Sequence, residues 1–469
     1  EDMRNGKLIA TAGLRLGQVT EFTFANGVAT PHTHALSYAG DRHLLTVAPT
    51  RSGKGVSAII PNLLTYTGSA VVIDPKGENA MITATRRGAG NTTIPGLGQK
   101  VYVVDPWGIT GQPAACFNPL DWLKADDPDI SENAMMLADS IVIPSSEGKD
   151  RFWDEEAKAL LMGILLYVAL EPSEQDTRTL GRVRDIIVLG RDAIDDVLAQ
   201  MGTNPNPIVS STAARTMSKE DELRANVMAS LQSHTHFLDS PRIRASLATS
   251  DFRFEDLKAA PTTVYLVLPS DRLNTFGRWL RLLIQQAITV NARNIAQKPP
   301  KPILFLLDEM PALGRLAMVE QAYGLMAGFG MQLWGIVQDL SQLERIYDKG
   351  WETFISNAGV LQYFGSRDQA SAGYFSKLCG VTTMERTSIS TSIARAFGSS
   401  SGGNTTTYSE NTSINVAQRH LAYADELMVM RKGQQLLVVE DVNPIKAQRS
   451  NWYADSELKS LGVNLHQPS

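Results

Sequence analysis

The sequence predicts an α/β fold, with a central, mostly parallel sheet and an all-helical stretch inserted into it. Short apolar runs that do not alternate with polar residues recur along the chain, as expected of strands covered on both faces. Helical spacing separates several of these runs, which is the pattern of crossover connections. Between about residues 131 and 249 helical signals dominate and interrupt the strand pattern.

Taken in order, the runs at 43–48, 70–73, 101–104 and 303–307 each end in polar or turn residues and are expected to be strands. Three more are expected at 263–268, 333–337 and 360–363. Within the helical stretch, Ser218 with Asp221 three residues on resembles a capping box, and Leu223, Val227 and Leu231 follow at helical spacing. Asn and Pro at 204–207 mark a loop between helices. The domain expectation is an α/β unit formed by residues 1–120 and 251–469, with residues 121–250 as the all-α insert. A chain of 469 residues is long for one core, which agrees with two domains. Ser, Thr and Gly crowd residues 387–413, including Ser399 to Gly403, and that composition suits a mobile loop at the base of a hairpin, read as a solvated surface loop ahead of a substrate-gripping one.

Composition narrows the class. With 43% hydrophobic and 20% charged residues the chain is globular rather than disordered. Lys and Arg total 44 against 49 Asp and Glu, a net charge of -5, so a globally basic nucleic-acid surface is excluded, while a local basic stripe or a ring that concentrates charge in its centre stays open. Cys116 and Cys379 are too few for a disulfide framework and read as buried thiols. The longest apolar run, 159–170, is too short to span a bilayer and is expected to be a buried helix. The pairs His32/His34 and His234/His236 lack further ligands at metal spacing and read as surface histidines.

The chemistry concentrates in two places. The run at 43–48 feeds Ala48-Pro49-Thr50-Arg51-Ser52-Gly53-Lys54-Gly55-Val56, a Gly/Lys loop followed by a helix. Small residues let consecutive backbone N–H groups wrap phosphate oxygens at a helix N-terminus, and Lys54 adds a point charge. Gly55 stands where a P-loop usually has the Ser or Thr whose hydroxyl ligates Mg²⁺, so water, Ser52 or carboxylates must take that place. The strand at 303–307 ends in Asp308-Glu309, the form of a Walker B strand. There Asp308 would hold Mg²⁺ and Glu309 would orient or deprotonate a water. Gln338, at the tip of the strand 333–337, is placed to sense the γ-phosphate. Arg51, Arg315 and Arg367 are candidates to stabilise developing charge. ATP and Mg²⁺ are the implied ligands.

The motifs resemble the coupling proteins of type IV secretion and conjugation, the TraG/TraD-like group. The resemblance rests on Ala48 to Val56, Ile60-Pro-Asn-Leu-Leu64 and Val72-Ile-Asp-Pro-Lys-Gly-Glu78. Val104-Asp-Pro106, Phe117-Asn-Pro119, Arg151-Phe-Trp153, Asp308 to Leu313 and Gln338 to Gln342 extend it. Asn443-Pro-Ile445 and Trp452-Tyr-Ala-Asp455 carry it to the end of the chain. It implies a RecA-like motor with an inserted all-α domain, working as a homo-hexamer at the cytoplasmic face of the bacterial inner membrane behind an N-terminal anchor. It implies as partners a relaxase bound to single-stranded DNA, or effector proteins, and components of a type IV secretion channel. Many relatives carry an arginine in the segment that here reads Leu325-Met-Ala-Gly-Phe-Gly330, so Arg367 is the candidate for a finger acting between subunits. Two other readings use the same site: a docking receptor that needs nucleotide only to assemble, and a chromosomal DNA pump. The Asp74 to Glu78 and Phe117 to Pro119 matches weigh against the pump.

Overall fold

The computed structural model describes residues 8–9, 13–25, 28–143, 149–396 and 405–465. The strands in chain order begin with β1 (Leu14–Ala25), β2 (Val28–Tyr38), β3 (His43–Val47), β4 (Ala70–Asp74) and β5 (Lys100–Val104). After a long helical stretch come β6 (Thr262–Val267), β7 (Ile303–Leu307), β8 (Met331–Val337) and β9 (Ala358–Tyr363). β10 (Val381–Ala396) and β11 (Thr405–His420) form a separate ribbon, and β12 (Gln434–Val439) and β13 (Val442–Gln448) return to the main sheet.

The main sheet has the order β2-β1-β13-β12-β9-β3-β8-β7-β4-β6-β5. From β9 to β5 every neighbouring pair is parallel, and these are the seven strands expected from the apolar runs. β3, β4, β6, β7 and β8 are buried at every residue, as continuous apolar runs require. The remaining four strands are antiparallel, and sequence reasoning did not anticipate them.

Between β5 and β6 the described residues form helices and loops, from Ile130–Ile141 to Pro241–Ser246. The run at 159–170 lies in the helix Lys149–Leu170, whose residues 159–169 are buried or half-buried. Among the described residues no helix is long and apolar enough to cross a membrane. The helix Leu273–Arg293 ties this region to the sheet: Arg281 Nε donates to the Ser140 carbonyl at 3.0 Å, and Gln285 Nε2 to that of Met136 at 2.9 Å.

Four local expectations need correction. Ser218 does not start the helix Asp221–Thr235; it closes the preceding helix Pro207–Met217, its Oγ donating to the Arg215 carbonyl. Residues 387–413 are not simply a loop, because most of the stretch lies in β10 and β11, paired antiparallel in continuous register. Thr and Ile favour strands, and the Ser/Thr composition masked their period of two; Ser399 to Gly403 lie outside the described residues. His234 is buried rather than superficial, its Nε2 2.8 Å from Asp154 Oδ1. Cys116 is only half-buried, whereas Cys379 is buried.

Candidate nucleotide site

The loop after β3 is shaped by its backbone. Ala48 still accepts sheet geometry, its N–H donating to the Val337 carbonyl at 2.8 Å, and the chain then turns with Ser52 N bonded to Pro49 O at 3.1 Å. Arg51 has φ 61° and Gly53 φ 90°, both left-handed, while Lys54 is right-handed. Such a succession forms a nest of N–H groups suited to an anion, and the conformation at Gly53 disfavours any side chain. Helical structure begins at Gly55–Ile59 and continues in Ile60–Thr65; Ser57 N and Oγ both donate to the Gly53 carbonyl, at 3.0 and 2.7 Å. A Cβ added at Gly55 would meet nothing within 4 Å, so Gly55 leaves open space where a P-loop hydroxyl usually stands.

β8 lies between β3 and β7, and this order brings the distant motifs together. Lys54 Nζ stands 2.7 Å from Asp308 Oδ1 and 2.9 Å from Glu309 Oε1. Gln338, at the tip of β8, donates from Nε2 to both Glu309 oxygens at 3.3 Å. Glu309 itself is left-handed, with φ 60°, and the strained backbone turns the chain into Met310–Leu313. Burial pulls the Lys54 ammonium down, yet Asp308 and Glu309 outweigh it and leave its pKa raised. Burial raises the Asp308 carboxyl against the opposing pull of Lys54. Asp74, at the end of neighbouring β4, is fully buried and pushed up to about 7, first by burial and also by the Asp308 charge.

The structure thus brings Lys54, Asp308, Glu309 and Gln338 into one cluster beside the loop 49–56. Of the arginines, Arg51 lies in the loop itself with its side chain exposed, Arg367 is exposed, and Arg315 pairs with Asp348 at 3.0 Å on the surface. Sequence reasoning missed Asp74 as a neighbour of Asp308, although its motif was visible. It also missed Arg449, whose guanidinium donates to the Ser52 carbonyl and stacks 4.2 Å over Phe364.

The donors fit a hard cation held mainly by a ligand's phosphates and water, with one or two carboxylates. Among the described residues no group of three or more His, Cys, Asp or Glu could hold a metal by itself. Ser52 Oγ is buried without a hydrogen-bond partner, and Asp308 Oδ1 is held by Lys54 at 2.7 Å, so Asp308 becomes a metal ligand only when Lys54 turns to another anion.

The sequence model for type IV secretory system conjugative DNA transfer matches residues 7–467. The chain is 29% identical over 435 residues to Protein VirD4 of Agrobacterium fabrum, covering 89% of this chain and 60% of that protein. It is 30% identical over 384 residues to the conjugal transfer protein TraG of Escherichia coli, covering 77% of this chain and 59% of that one. The chain therefore spans about 60% of the length of these relatives. The bacterial conjugative coupling protein TrwBdeltaN70 shares the fold, with a TM-score of 0.65 at 16% identity over 90% of this chain and 87% of that chain. TrwB has also been solved with ADP and Mg²⁺, again at a TM-score of 0.65, with 15% identity over 92% of this chain and 89% of that chain. With its family model matched from residue 7 to residue 467, the chain belongs to the type IV secretory system conjugative DNA transfer family.

Proposed function

We propose that this chain is the motor of a coupling ATPase, which hydrolyses ATP and drives single-stranded DNA with bound relaxase, or effector proteins, to a type IV secretion channel. The observation that carries the reading is the Lys54 ammonium poised between Asp308 and Glu309, with Gln338 on the same carboxylate. Family membership, the conjugal transfer relatives and the ADP–Mg²⁺ complex of TrwB support it.

In this reading residues 49–56 cradle the phosphates through their N–H groups, and Lys54 transfers from the carboxylates to the β- and γ-phosphates. Glu309, released from Lys54, orients or deprotonates the attacking water, and Gln338 follows the γ-phosphate through its bond to Glu309. Asp308 holds Mg²⁺, directly or through water. Mg²⁺ when bound neutralises phosphate charge. Arg367 acts from a neighbouring subunit of a homo-hexamer. Residues 1–120 and 251–469 form the motor and residues 121–250 the insert that recognises cargo, at the cytoplasmic face of the inner membrane.

The test is DNA-stimulated ATP hydrolysis by the assembled protein. Glu309→Gln is expected to lower turnover on the order of 100-fold or more while retaining ATP binding. An assembled hexamer that binds DNA and never hydrolyses ATP would sink the motor reading and leave a docking receptor.

A further inference from the structure

Arg449 follows β13, nearly four hundred residues from the phosphate loop (a separation of 397 to Ser52), yet it lies against that loop. Its backbone N–H bonds the Gly433 carbonyl, which fixes where the side chain starts. The guanidinium lies over Phe364, whose own N–H bonds the last carbonyl of β3, at Val47, at 2.9 Å. From there Nη1 donates to Ser52 O, the carbonyl between left-handed Arg51 and Gly53. Three residues on, Trp452 N donates to the Val56 carbonyl at 3.0 Å, and Trp452 and Leu458 are buried with Ile60 and Leu64 of the helix that follows the loop. The segment after β13 therefore grips the loop on both sides.

A neutral donor would suffice to hold one carbonyl. Arginine brings a charge, and among the described residues no carboxylate pairs with it, while its Nε is buried without a hydrogen-bond partner. Burial alone pulls this guanidinium below its ordinary value. A half-buried cation without a counter-charge is unfavourable unless an anion completes the site.

We infer that Arg449 is a positioning residue that holds the phosphate loop in its receiving shape, with the phosphates of a nucleoside di- or triphosphate as its missing counter-charge. This rests on reading the site as a nucleotide site. The experiment titrates Mg·ATP, Mg·ADP and AMP into the wild-type chain, Arg449→Gln and Arg449→Lys, and records melting temperatures without nucleotide. Loss of a charged hydrogen bond is expected to weaken ATP and ADP binding about 10- to 100-fold in Arg449→Gln. AMP binding should change far less, KM for ATP should rise with kcat nearly kept, and Arg449→Lys should recover part of the affinity at an unchanged melting temperature. Wild-type affinity in Arg449→Gln overturns the inference alone. So does a loss that tracks melting temperature in both variants, because that is a purely structural role. A wild-type chain that binds no nucleotide overturns the nucleotide reading itself, and this inference with it.

Discussion

The parallel and antiparallel halves of the large sheet meet solvent differently. β3, β4, β6, β7 and β8 are buried along their whole length, and the charged cluster stands at their tips. By contrast β1 and β2 pair with each other well beyond the single point at which β1 meets β13, and their outer part exposes Phe22 and Phe24, the latter at 77%. The β10–β11 ribbon likewise exposes Ile389, Ile393 and Tyr408. A dry, doubly covered sheet provides a rigid edge where charges interact through little water, so Lys54, Asp308 and Glu309 act strongly on one another. The antiparallel side contributes grip and reach rather than chemistry, and it touches the loop through Arg449 and the segment that follows it.

That contrast can be broken by substitution. The largest effect on stability is expected from Leu306→Ala in β7, about 2–5 kcal/mol in urea unfolding, because the cavity cannot collapse between covered faces. Phe24→Ala on the projecting ribbon should change stability by no more than about 0.5 kcal/mol. Comparable losses at the two positions would erase the distinction between the halves.

A smaller effect should appear with pH. His43 opens β3 inside the core, its Nε2 2.8 Å from the Ala322 carbonyl and its Nδ1 accepting from Leu333 N at 3.0 Å. Burial lowers its pKa to about 4 from the ordinary 6.5. The unfolded chain thus takes up a proton first, and the stability this neutral imidazole contributes is lost as pH falls from 6.5 towards 4. The slope is about 1.4 kcal/mol per pH unit within that window. His43→Gln should flatten it, which unfolding curves at several pH values would reveal; an unchanged slope would assign the acid sensitivity elsewhere.

The smallest effect concerns Gly55. Since an added Cβ meets nothing there, Gly55→Ser should fold with stability within about 0.5 kcal/mol of the wild type. A new hydroxyl beside Lys54 is expected to tighten Mg²⁺-dependent nucleotide binding modestly, by less than about 10-fold. A folded variant that binds more weakly would mean that the open space is needed.

The seven parallel strands were legible because each is built on a short, mainly apolar run that does not alternate with polar residues, a pattern that burial on two faces favours. The antiparallel strands were not, since β12 opens with Gln434-Gln435 and β1 mixes Gln18, Thr20 and Glu21 among its apolar residues. In the β10–β11 ribbon the pairs Ile389–Thr412 and Ile393–Tyr408 share one face, but Ser and Thr in between hid the alternation. At the site, Lys54 and Glu309 were legible across a separation of 255 residues because each sits in its own strand-tip motif. Arg449 had no such mark. Its position depends on the pairing of β13 with β12 and of β12 with β9, which no local pattern encodes.

In the reading proposed above, the cluster at the end of the parallel strands is a nucleotide site built on Lys54. Calorimetric titration of Mg·ATP into the wild-type chain and into Lys54→Ala tests it most directly. Saturable binding is expected in the wild type, with a loss of affinity of about 100-fold or more in a folded Lys54→Ala chain, where the phosphates lose their point charge. Equal affinity in the two chains would contradict it.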